Sequence, residues 1–210
     1  MAIAYRSGST AGNASGGNLT VNAPAGLTDG DILVAICYNE IGASAWTAPA
    51  GWTQWGTGQA DFAANAWINV YWKMASGEGS SYTFNISTTW RTISLAAFSG
   101  CYQTGDPIQA GPTGLNYSNF VSPEGASITT VQDNEMCVFL TANYDGTDVT
   151  SGSSGYTQGA ELGGCEIWYN LKVTAGSTGS VVFGRASGQA ENWATYHLSL
   201  KEATTIGYTG

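Results

Sequence analysis

At 210 residues the chain is long enough to bury a full core without staples, since a domain of this size removes roughly 70% of its unfolded surface from water. Hydrophobic residues make up 43% and charged residues only 10%, with 29 glycines breaking up the apolar runs; that mix argues against disorder and against long amphipathic helices. The formal net charge of −9, with six Lys and Arg in all, offers no basic stripe to a nucleic-acid backbone or an anionic membrane, and no run approaches the roughly 20 apolar residues needed to span a bilayer.

The start, "MAIAYRSGSTAG", has neither a basic n-region nor an apolar h-region, so it reads as no secretory signal and the protein is expected to be soluble. Strand-like runs bounded by Gly, Asp, Asn and Ser turns follow at 18–23, 31–40, 51–58, 66–75, 80–87 and 91–99. A Pro-containing stretch at 101–125 then reads as a crossover. Six further runs lie at 126–132, 135–143, 155–161, 165–174, 179–185 and 193–201. No segment has a 3.6-residue apolar period, which makes the chain all-β.

The two sets of six match in content. "GWTQ" (51–54) and "GYTQ" (155–158) lie 104 positions apart, as do "GDILVA" (30–35) and "NEMCVF" (134–139). "WINVYWKMASGEGSSYTF" (67–84) aligns with "EIWYNLKVTAGSTGSVVF" (166–183) at an offset of 99, and "WRTISLAAF" (90–98) with "WATYHLSLK" (193–201) at 103. Alternate residues of a strand face opposite ways, so the alignment predicts inward sets. These are Ile68, Val70, Trp72 and Met74 with Ile167, Tyr169, Leu171 and Val173, and Ile93, Leu95 and Ala97 with Tyr196, Leu198 and Leu200. The bland alternative is that any Gly/Ser-rich β chain looks self-similar. Facing sheets would cover one another's apolar faces and exposed edges. The expected fold is therefore one domain over 1–210, a β-sandwich of jelly-roll type built from pseudo-repeats at about 18–100 and 126–201.

Trp52 and Tyr156 read as equivalent inward corner aromatics. Trp67, Tyr71 and Trp168 form an outward aromatic stripe, and Trp46 and Trp55 have no aromatic counterpart in the second half. Such a surface serves either protein–protein contact or stacking against sugar rings. Catalysis finds little support. The lone His197 sits on the polar side of a strand without a G-x-S-x-G turn, and the acids Asp29, Asp31, Asp61, Glu78, Asp106, Asp145 and Asp148 are scattered through turns. "DGTD" (145–148) lacks the ligand count of a calcium loop, the glycine-rich pieces lack P-loop spacing, and no cofactor or metal is indicated. Cys37, Cys101, Cys137 and Cys165 show no C-x-x-C spacing and read as reduced, buried small hydrophobes.

The ordered set "PAGLTDGDILVA" (24–35), "PAGWTQ" (49–54), "YWKMASGEGSSYTF" (71–84) and "AAFSGCYQTGDPI" (96–108) resembles a family of Gly/Thr-rich β-sandwich proteins. Its members are mostly uncharacterised virion or tail-associated proteins of tailed bacteriophages, and modules of bacterial surface proteins. The likeness covers residues 15 to about 200. Its marks are Gly30 and Asp31, Pro49, Gly51, Trp52 and Thr53, Lys73, Tyr82 and Phe84, Ser99 and Gly100, and Pro107 and Ile108; the second half departs from it with "SGYTQ". The resemblance implies a non-enzymatic virion structural protein, a capsid decoration or a head- or tail-attached appendage. Its expected partners are other virion proteins and itself; the alternative is a carbohydrate-binding module that adheres to host glycans. It implies no active site, and the acidic charge suits a virion exterior better than a surface facing packaged DNA.

Overall fold

Residues 32–40 and 135–143 are buried along almost their whole length, as strands covered on both faces must be. The protein is described by a computed structural model over residues 2–40, 46–60, 66–86, 88–111, 115–144, 146–185 and 190–203. The first half of the chain supplies β1 (Ala4–Asn13), β2 (Leu19–Asn22), β3 (Ile32–Glu40), β4 (Thr53–Ala60), β5 (Ala66–Met74), β6 (Ser81–Phe84) and β7 (Arg91–Ser99). There follow β8 (Ile108–Ala110), β9 (Leu115–Phe120), β10 (Glu124–Gly125), β11 (Thr129–Thr130), β12 (Glu135–Asn143) and β13 (Val149–Ser151). The last are β14 (Thr157–Leu162), β15 (Cys165–Lys172), β16 (Gly176–Ser177), β17 (Val181–Val182), β18 (Gly184–Arg185) and β19 (Glu191–Leu200). The described residues contain no helix.

Two antiparallel sheets carry the fold, one in the order β1-β7-β3-β5-β4 and the other β14-β15-β12-β19-β8, with β9 also on β19. They face each other across one apolar layer. Ile32, Val34, Ile36, Ile68, Val70 and Phe98 meet Met136, Val138, Leu140, Ile167, Leu198 and Leu200 there. Burial of such side chains stabilises by about 1.5–3 kcal/mol each. Ser94 ties the layers together by donating to the Cys165 carbonyl at 2.6 Å.

Both sheets are also covered on their outer faces. The β2–β6 ribbon lays Leu19, Val21, Tyr82 and Phe84 over Leu33, Ala35, Cys37, Tyr71 and Leu95. On the second sheet Val149, Val181 and Phe183 cover Phe139, Trp168 and Trp193, carried by the β10–β17 and β13–β18 ribbons and the segment joining them. The result is a sandwich with four layers of chain.

Each predicted strand has a counterpart, but the sequence pattern missed the strands beside β7 and β19. β1 has no buried side chain past its first residue's neighbour Ile3, because it is an edge strand of small polar residues; β8 and β9 fall inside the predicted crossover. The inward set on β7 is corrected as well. Register pairs Ile32 with Phe98 and Met136 with Leu200, which makes the correspondence between β7 and β19 102 positions, one fewer than the alignment. Ile93, Leu95 and Ala97 therefore face outward under the β2–β6 ribbon, while Tyr196, Leu198 and Leu200 face the other sheet. Both faces of β7 are apolar, so its pattern gives no direction, and a slip of one residue reverses every side chain. All four cysteines are unpaired and buried.

The sheets approach closely at Gly8 of β1. A Cβ there would lie 2.8 Å from the Gly159 carbonyl oxygen and 2.9 Å from Ala160 Cβ and the Tyr5 hydroxyl. Gly8→Ala is expected to lower the unfolding free energy by about 1–3 kcal/mol in urea titrations; an unchanged midpoint would show that β1 can move away.

Candidate functional site

The five aromatics singled out by sequence do not assemble into one exposed platform. Trp46 and Tyr71 are 3% exposed and Trp168 is 6% exposed, which corrects the expectation of an outward contact surface at these three. The Trp46 indole donates to Asn39 Oδ1 at 2.9 Å, Tyr71 donates to the Trp46 carbonyl at 2.5 Å, and the Trp168 indole donates to Glu166 Oε2 at 2.7 Å. The parity that placed Tyr71 and Trp168 on outer faces is right; the outer faces are covered. Trp55 is half-buried and meets Tyr196 edge-on at 5.4 Å, closing the rim of the core. Trp67, also half-buried, lies over Gly58, where a Cβ would collide with its indole nitrogen. Trp52 and Tyr156 do pack inward, on Phe84 and Phe183 at 5.3 and 5.4 Å.

Polar chemistry collects on the outer face of the second sheet. His197 is 1% exposed; its Nδ1 lies 2.8 Å from the Ala126 carbonyl and its Nε2 lies 2.6 Å from the Tyr156 hydroxyl. A carbonyl oxygen only accepts, so Nδ1 carries the proton and Tyr156 donates to Nε2. Burial holds the imidazole below its ordinary pKa, against the opposing pull of the Ala126 carbonyl. Nearby Cys137 is pushed up to about 11, chiefly by burial, which makes it a poor nucleophile at neutral pH. The arrangement is a satisfied buried network with no activated nucleophile.

Because the chain has one histidine, its titration is directly readable by NMR. The imidazole midpoint is expected below the ordinary 6.5, and Tyr156→Phe, which removes the donor that favours the neutral ring, should raise it. A depressed base contributes stability present above pH 6.5 and lost as pH falls through the folded value. A midpoint at or above 6.5 in the native protein would contradict the buried neutral assignment.

The acids behave mostly as turn residues. Asp29 accepts from Gly77 N at 2.8 Å, Asp106 from Ile108 N at 2.9 Å and Asp148 from Gly164 N at 3.1 Å. Asp61 and Asp145 lie outside the described residues. Among the described residues no group of three His, Cys, Asp or Glu side chains could hold a metal.

The strongest candidate site is a cavity of about 440 Å³ at the seam of the two sheets. One wall comes from the ends of β1, β3 and the start of β7, including Asn13, Tyr38, Glu40, Trp90 and Arg91; the other is Gly146 with Leu162 and Gly163 at the β14–β15 turn. Gly12 allows the approach, since a Cβ there would meet Leu162 Cδ2 at 3.0 Å. Trp90 is 56% exposed and has φ 51°, a left-handed conformation that costs a non-glycine residue on the order of 1 kcal/mol. Two backbone bonds hold it there: its N–H donates to the Ala14 carbonyl at 3.5 Å, and its carbonyl accepts from Glu40 N at 2.9 Å.

Next to this exposed ring, Arg91 is 2% exposed. Its Nη2 donates to the Ser15 carbonyl, while Nε and Nη1 have no acceptor among the described residues. On the same wall the Glu40 carboxyl is raised by burial, with the Tyr38 hydroxyl pulling the other way. A ring, a carboxyl and, behind the surface, a buried cation line one opening and can bind a polar ligand; they supply no nucleophile aligned with a base.

Comparison with protein-family models, curated proteins and solved structures finds no match to this chain. The sequence pattern missed Trp90 and Arg91 because it aligned Trp90 with Trp193. Register instead sets Arg91 opposite Asn39 and Trp193 opposite Asn143, so the guanidinium occupies the place that an indole fills in the second sheet.

Proposed function

We propose that the protein is a structural subunit of a bacteriophage virion, a capsid decoration or a head- or tail-attached appendage that acts through protein–protein contacts and self-association. The observation that carries this reading is where apolar surface remains. Trp90, Tyr144 and Leu162 are exposed around one end of the sandwich and Met74, Val131 and Val173 around the other, with Val121 and Val182 exposed apart from these two groups, whereas ribbons cover the apolar sheet faces. Contacts made end to end suit repeated lattice or tail positions. The resemblance of residues 15 to about 200 points the same way.

The fold proposed with this function is a jelly-roll-type sandwich of two pseudo-repeated halves in a single domain. Nested pairing supports it: β1 with β7, β2 with β6 and β3 with β5, then β9 with β19, β10 with β17, β11 with β16 and β12 with β15. Matching turns support the doubling. Gly51 has φ 86° and Gly155 φ 85°. Asp31 accepts from Thr28 N and Glu135 from Gln132 N, while Asp29 accepts from Gly77 N and Asp133 from Ala175 N.

Mass spectrometry of purified particles tests the function. The expected result is a fixed copy number relative to the major capsid or tail protein; its absence from particles would overturn the proposal. A second reading, adhesion to host glycans, is favoured by one specific observation, the exposed Trp90 ring beside polar groups at the seam cavity.

A further inference from the structure

The guanidinium of Arg91 is buried, yet among the described residues its Nε and Nη1 find no acceptor. A guanidinium that keeps two closed-off donors unsatisfied costs a fold stability. In the second sheet Trp193, fully buried, fills the corresponding place, with the Arg185 guanidinium over its ring at 5.7 Å. The left-handed Trp90 is a second local cost at the same spot, and its ring faces solvent instead of the core. Both lie on the wall of the same 440 Å³ cavity.

We propose that the seam cavity at Trp90 and Arg91 binds an acidic saccharide, with the carboxylate of a uronate residue taken by Arg91 and the sugar ring laid against Trp90. The proposal rests on the glycan-adhesion reading and names its ligand class. A guanidinium matches a carboxylate in shape and charge. An indole face suits the apolar C–H side of a pyranose, and Glu40 and Asn13 on the same wall can take its hydroxyls. A singly charged carboxylate fits better than a phosphate dianion, which would be set against Glu40 on a chain of net charge −9.

Nε and Nη1 are closed to water, so engagement requires the neighbouring wall to give. Trp90 has room to do so: it is 56% exposed, and its own N–H is held only by a 3.5 Å bond. The net negative charge also predicts the salt response. Long-range repulsion between an acidic protein and an acidic glycan is screened by salt, so affinity should hold or rise between low and physiological ionic strength, opposite to adventitious ion pairing.

The test is isothermal titration of the whole chain with tetragalacturonate, its fully methyl-esterified form, a hyaluronate tetrasaccharide and sialyllactose, beside an array of neutral glycans. At least one acidic probe should bind with a dissociation constant below about 1 mM; if that probe is tetragalacturonate, its methyl ester should bind at least about tenfold more weakly. Trp90→Gly keeps the backbone conformation and removes the ring; it should weaken acidic-probe binding by about tenfold with a urea midpoint no lower than that of the wild type. Arg91→Lys, checked for the same midpoint, should weaken it several-fold because the planar donor set is lost. Equal binding of tetragalacturonate and its ester, or full binding of the acidic probe by Trp90→Gly, overturns the site. Binding of neutral glycans alone overturns the acidic ligand and leaves glycan adhesion standing; no binding to any glycan removes both.

Discussion

Replacing Phe183 with alanine is expected to lower the unfolding free energy by about 3–5 kcal/mol, although the residue belongs to neither large sheet. Its ring is fully buried. It stacks on Phe139 with centroids 4.1 Å apart and planes 10° apart, and touches Tyr156 at 5.4 Å and Trp168 at 5.5 Å. Truncation removes buried area and leaves a cavity that three rigid rings cannot fill. Phe84→Ala should cost a similar amount on the other sheet, where Phe84 packs against Trp52 at 5.3 Å and Tyr71 at 5.8 Å. Urea titrations followed by tryptophan fluorescence and by far-UV circular dichroism provide the measurement. Coincident transitions with large midpoint shifts are expected, because the covering ribbons form part of the cooperative unit. A loss below about 1 kcal/mol in either variant, set against the ±0.5 kcal/mol typical of a surface change such as Val121→Ala, would show that the cover is peripheral.

The legibility of this fold in its sequence follows the distribution of apolar residues. β3 and β12 are plain because unbroken apolar runs, Ile32–Tyr38 and Met136–Leu140, put apolar side chains on both faces of each, and no turn chemistry interrupts them. β1 is hidden because an edge strand of Ser, Gly, Thr and Ala has the composition of a loop; only its pairing with β7 makes it a strand. Tyr71 and Trp168 illustrate a different limit. Alternation reveals which face a side chain takes, but what covers that face comes from elsewhere, here partly from ribbons as short as Glu124–Gly125 and Val181–Val182. Two-residue strands leave no period to read. The site was hidden for a third reason: Trp90 and Trp193 look equivalent by identity, whereas hydrogen-bonded register makes Arg91 the partner of Trp193 in position. Register is a property of pairing between distant strands, and one chain read from end to end does not contain it.

Stability should also fall as pH rises from about 4.5 to about 7, because of Glu166. This carboxyl is fully buried beneath the cover of the second sheet. Burial raises its pKa from the ordinary 4.5 to about 7, assisted by the charge of Asp148 and opposed by donation from Val149 N, the Trp168 indole and Gln158. In the unfolded chain the group ionises near 4.5, while in the folded protein it stays protonated until about 7. Between these values the unfolded state binds fewer protons, and the contribution of Glu166, complete below pH 4.5, is lost as pH rises through the folded value. The difference between 4.5 and about 7 corresponds to about 3 kcal/mol. Glu166→Gln removes the titration but turns an amide N–H₂ toward at least one of the donors that the carboxylate satisfies, so the variant should be weaker than wild type near pH 4.5. That deficit should shrink by about 3 kcal/mol on going to pH 7.5, since wild type alone then carries a buried charge. Urea midpoints of both proteins at half-unit steps give the difference curve, in which the titrations of His197 and the other acids largely cancel. Parallel curves across this range would mean that Glu166 is ionised throughout, with its three donors outweighing burial.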